Sequence, residues 1–156
     1  MVNTFQPYVA AMRKRGYGVL VGIASVAGYR GLPGSSAYSA SKAAAISYLE
    51  SLRVELRGSG ITVITICPGY ITTAMTAHNP YRMRFIITAE AAATKITAII
   101  ARRKAYAVIP WQMAVVARLT QPRRPRGRPS YAIYSTVTDL ARLRGLSTSV
   151  PRCSAV

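Results

Sequence analysis

Two uninterrupted apolar runs constrain this chain more than any other feature: Gly18-Val-Leu-Val-Gly-Ile-Ala24 and Ile61-Thr-Val-Ile-Thr-Ile-Cys67. A strand with one wet face alternates apolar and polar residues. A strand without that alternation is covered on both faces, as in a parallel sheet sandwiched between helices. Between the runs, Ala43, Ile46, Leu49, Leu52 and Leu56 recur at helical spacing, which predicts a helix over Ala37–Arg57. Gly58-Ser-Gly60 ends it. Strand, long helix and strand in that order predict an α/β fold with a parallel sheet and helices on both faces.

The remaining elements follow the same logic. Phe5, Val9 and Met12 predict a helix over Phe5–Arg15, stopped by Gly16 and Gly18. Ser25–Ser36 and residues 70–88 read as loops, Ala89–Arg103 as a helix, Tyr106–Ile109 as a third strand and Trp111–Leu119 as a last helix. Gln121-Pro-Arg-Arg-Pro-Arg-Gly-Arg-Pro129 cannot continue helix or sheet, which puts a boundary near Thr120 between an ordered domain, 1–119, and an irregular basic tail, 120–156.

Composition excludes several classes. Half of the 156 residues are hydrophobic (51%), enough for a buried core. Two cysteines, Cys67 and Cys153, without ligand spacing, and one histidine, His78, argue against a disulfide scaffold, a metal site or a Ser-His-Asp triad. No apolar run reaches the roughly 18 residues of a spanning helix, and no signal-peptide layout opens the chain, so the cytoplasm is the expected location. The excess of 21 Lys+Arg over 4 Asp+Glu gives a formal charge of +17 and directs attention to anionic partners.

The chemistry concentrates on one helix and one strand end. Tyr38 and Lys42 are four apart and share a helix face. A phenol titrates near 10, and an ammonium beside it favours the phenolate, which suits Tyr38 to general acid/base work. Ser25 follows the first apolar run, at the strand end where open α/β sheets bind ligands, and its hydroxyl suits a substrate carbonyl. A Tyr-x-x-x-Lys pair alone arises by chance in roughly one chain in four of this composition. A buried strand ending at a serine 13 residues earlier, and Pro68-Gly69 after the next strand, make it specific.

These segments, Ile23-Ala-Ser-Val-Ala-Gly28, Ala37-Tyr-Ser-Ala-Ser-Lys42 and Cys67-Pro-Gly-Tyr-Ile-Thr-Thr73, resemble the core of the short-chain dehydrogenase/reductase family. The resemblance covers residues 3–119. It implies part of a Rossmann-type, doubly wound sheet and NAD- or NADP-dependent interconversion of a small carbonyl compound and its alcohol. By motif, Ser25 orients the substrate oxygen, Tyr38 exchanges the proton, and Lys42 assists the tyrosine and bonds the nicotinamide ribose. Pro68, Gly69, Ile71 and Thr73 are implied on the cofactor side, Tyr70 and His78 on the substrate side. The family also often dimerises through the helices matching Phe5–Arg15 and Ala37–Arg57, so a homo-oligomer is expected.

The departures matter equally. The family's Thr-Gly-x-x-x-Gly-x-Gly phosphate loop, its Asn-Asn-Ala-Gly segment and its NAD/NADP-selecting residue have no counterpart in this sequence. The chain reads as the second half of such a domain, entered inside the fourth helix. Weak cofactor binding by the chain alone is expected, since that loop and its helix hold the pyrophosphate. The alternative is a non-catalytic half-domain that binds protein or nucleic acid through its basic surface. The tail has two readings, a nucleic-acid arm or an extension unrelated to function; the lack of aromatics among its arginines favours the second.

Overall fold

The computed structural model describes residues 1–74, 76–77 and 83–120, without the side chains of 117–120. All of them belong to one compact unit, Met1–Gln121. His78 and the tail lie outside the described residues.

Helix α1 spans Val2–Arg15 and begins three residues earlier than its apolar periodicity indicates. Gly16 ends it in the left-handed region (φ 77°), returning its N–H to the Met12 and Arg13 carbonyls. Strand β1 is Gly18–Ile23. A short turn, Val26–Gly28, leads through a loop to helix α2, Ser36–Glu55. Strand β2 is Ile61–Pro68, α3 is Ala89–Ala101, β3 is Tyr106–Ile109 and α4 is Trp111–Thr120. Each element has the expected type; the ends differ by a few residues because capping and fraying, not periodicity, decide them.

The sheet is parallel, in the order β1-β2-β3, with Gly18 opposite Ile61 and Thr65 opposite Tyr106. Two apolar clusters sandwich it. On one face Leu20, Ile61 and Val63 pack with Leu49, Leu52 and Leu56 of α2, with Phe5, Val9 and Met12 of α1 against them. On the other, Ile64, Ile66 and Ile109 pack with Ala92 of α3 and its partly buried isoleucines. Leu49, Ile64 and Ile66 are fully buried. Burying one such side chain stabilises by about 1.5–3 kcal/mol, which is why both faces of β2 are apolar. The expected α/β architecture, a partial doubly wound parallel sheet flanked by helices, is the observed one.

Candidate active site at the carboxyl end of the sheet

Ser25 stands where β1 ends. It is buried, in extended conformation, and its Oγ accepts from the Ala27 N–H (3.2 Å), capping the turn that follows. Its hydroxyl donates to the Pro68 carbonyl at 3.4 Å, a long bond tying the end of β1 to the end of β2.

Helix α2 brings the other two groups. The Lys42 ammonium lies 5.6 Å from the centre of the Tyr38 ring, so the pair shares one helix face. Lys42 Nζ also donates to the Ile23 carbonyl (3.2 Å), two residues before Ser25. The Tyr38 side chain is 43% exposed, and its hydroxyl bonds nothing among the described residues. Buried Ser39 accepts from the Leu32 N–H (3.3 Å) and pins the preceding loop to the helix start. Ser25 and Lys42 thus meet at one end of β1, with Tyr38 beside Lys42.

The Pro68–Thr73 segment is held from below. Gly69 N–H donates to the Ile109 carbonyl (2.7 Å), and a Cβ on Gly69 would come within 2.7 Å of Met113 Cγ in α4. Thr72 N–H donates to Ile87 O and Ile87 N–H to Tyr70 O, closing the base of the following loop. Ile71 O accepts from Thr76 Oγ1 (2.7 Å), and no acceptor among the described residues meets the Ile71 N–H. Thr73 is exposed, with its N–H on Thr76 Oγ1 (2.9 Å), and Tyr70 is half-buried.

Sequence reasoning did not anticipate two groups beneath this site. Tyr29 and Tyr106, 77 residues apart, join their hydroxyls, and Tyr106 Oη reaches Cys67 Sγ at 3.2 Å. Burial pushes both phenols and the Cys67 thiol above their ordinary ranges, so all three stay neutral. Arg53 donates to the Val63 carbonyl (3.1 Å), the Thr65 hydroxyl and the Ala105 carbonyl (3.0 Å), and burial lowers its pKa. The spacing of these residues carries no local signal; only strand pairing brings them together. Among the described residues no group of three His, Cys, Asp or Glu could hold a metal ion. No described helix is long and apolar enough to cross a membrane.

Comparison with known proteins places this geometry. An uncharacterized oxidoreductase of Myxococcus xanthus is 45% identical over 109 residues, covering 70% of this chain and 42% of that protein. An acetoacetyl-CoA reductase of Rhizobium meliloti is 41% identical over 81 residues, covering 52% of this chain and 34% of that one. The chain thus spans less than half the length of these curated relatives. A short chain dehydrogenase from Burkholderia cenocepacia, solved in complex with NADP, shares the fold with a TM-score of 0.66 at 21% identity, covering 91% of this chain and 54% of its own. The short chain dehydrogenase family model matches residues 1–83, more than half of the chain. With the parallel sheet and the residues at its carboxyl end, that match establishes that this chain belongs to the short chain dehydrogenase family.

Proposed function

We propose that this chain carries the proton-transfer part of an active site that interconverts a small carbonyl compound and its alcohol with a nicotinamide coenzyme, NAD or NADP. The observation that supports this best is the Lys42 ammonium, bonded to Ile23 O two residues before Ser25 and seated over the ring of exposed Tyr38. Three residues whose chemistry suits carbonyl reduction come together at a ligand-binding strand end.

The residues present fit the nicotinamide end of such a coenzyme. Lys42 offers an ammonium for the ribose, and the unpaired Ile71 N–H, with Pro68, Gly69 and Thr73 beside it, offers a main-chain donor. The phosphate-binding glycine pattern is absent from the sequence, so coenzyme affinity of the chain alone is low. When bound, the coenzyme supplies the hydride to the carbonyl carbon. Tyr38 Oη donates its proton to the carbonyl oxygen as negative charge develops there. The Ser25 hydroxyl exchanges its long bond to Pro68 O for one to the same oxygen and orients it. The Lys42 charge offsets the phenolate left on Tyr38. Tyr70 and His78 are assigned to the substrate side.

Acetoacetyl-CoA, the substrate class named for two curated relatives, is the first compound to try. Following NADPH consumption with the full chain, a slow turnover is expected. Tyr38→Phe lowers it roughly 100-fold or more, and Ser25→Ala roughly 100-fold. Turnover that Tyr38→Phe leaves unchanged rules the assignment out.

A further inference from the structure

Strand β1 pairs on one side only. The Ala24 N–H donates to Ile66 O (2.7 Å), and in a parallel ladder Leu20 and Gly22 point the same way. The N–H and C=O groups of Val19, Val21 and Ile23 therefore face away from β2, along an open edge. Both ends of this edge are capped by cations. Arg15 Nε donates to the Tyr17 carbonyl (2.8 Å), and Lys42 Nζ to the Ile23 carbonyl (3.2 Å). Between the caps, among the described residues, nothing bonds the N–H groups of Val19, Val21 and Ile23 or the carbonyls of Val19 and Val21. The span from Tyr17 to Ile23 is about 20 Å, the length of an ordinary strand.

The side chains agree with the backbone. β1 has no polar or charged residue to blunt its edge. Val19 and Val21 are only half-buried against the α3-side cluster, and Ile23 is 42% exposed. The occupant must therefore bring a strand to complete the ladder and an apolar helix to cover these three side chains. The relatives indicate where such a unit exists: this chain accounts for 42% of the Myxococcus xanthus protein. A chain with 21 Lys+Arg against 4 Asp+Glu also attracts an acidic partner at long range.

We infer that the β1 edge, between the Arg15 and Lys42 caps, docks a parallel apolar strand and its helix from a separate polypeptide resembling the part of these relatives that this chain does not match. The test is a titration of the full, isotope-labelled chain with that portion of the Myxococcus xanthus protein, read by sedimentation and amide exchange. A one-to-one complex is expected, with exchange at Val19, Val21 and Ile23 slowed at least about tenfold and exchange at Leu20 and Gly22 unchanged. Val21→Pro removes one open-edge donor and leaves the β2 ladder intact, so it should weaken binding at least about tenfold. If that variant does not fold, exchange in the unaltered chain decides. No complex at about 100 µM, or a complex that leaves the three amides unprotected, overturns the inference. Protection of these amides in the chain alone also overturns it and assigns the edge to a second copy or to the chain's own remaining residues. The readout is independent of turnover.

Discussion

Gly28 fits where no larger residue does. A Cβ there would lie 2.8 Å from the carbonyl carbon and oxygen of Lys42, and these backbone atoms cannot rotate away. The turn after Ser25 can therefore rest on α2 at the residue that carries the ammonium. Gly28→Ala should destabilise the chain by about 1–3 kcal/mol and move the turn off α2. Denaturant unfolding checks the energy, and a rise in Lys42 amide exchange checks the displacement. An unchanged midpoint would show that the turn yields freely. The neighbouring Ser25, Tyr38 and Lys42 were readable from spacing, because two of them share one helix and the third ends an unmistakable strand. Gly28 carried no such signal, since its constraint is a contact with a residue 14 positions away (42 − 28 = 14).

At the scale of elements, one arginine joins three of them. Arg53 on α2 donates to Val63 and Thr65 of β2 and to the carbonyl of Ala105, just before β3. Replacing it with leucine keeps some of the apolar stem packing but leaves the two carbonyls and the Thr65 hydroxyl without that donor. The expected cost is about 2–4 kcal/mol, from roughly 1–3 kcal/mol for each buried group left unmet and partial recovery by water. Thermal unfolding of Arg53→Leu beside Arg57→Leu, an exposed arginine on the same helix's C-terminal side, separates lost bonding from lost charge. A similar loss in both would remove the linking role. Strand and helix types were legible here because β2 is apolar on both faces and α2 has one clear stripe. The Arg53 bonds were not legible, because a charged residue at that position reads equally well as solvated.

For the molecule as a whole, the neutral Tyr29–Tyr106–Cys67 chain sets an alkaline limit. All three pKa values are raised in the folded state, chiefly by burial. The folded chain then holds protons that the unfolded chain releases once pH exceeds its own values, about 8.5 for a thiol and about 10 for a phenol. Stability from these groups is complete below those values and falls as pH rises above them. The unfolding midpoint should therefore drop between pH 8 and 10, first through Cys67. Tyr106→Phe removes one raised group and one partner of Cys67, and should flatten that dependence while lowering stability at pH 8. A midpoint independent of pH over that range contradicts this account.

By itself the sequence determined the element types, the parallel α/β arrangement and the three residues proposed for proton transfer. These depend on local patterns: unbroken apolar runs, a 3.6-residue stripe and a four-residue spacing. Only the tertiary structure decided which long-range partners meet. It brought Tyr29 to Tyr106, Arg53 to Ala105 and Lys42 to the end of β1, and it left the Val19–Ile23 edge open. The physical reason is that hydrogen bonding and burial are satisfied by whichever group the strand order brings near, and strand order is not written in any window of neighbouring residues.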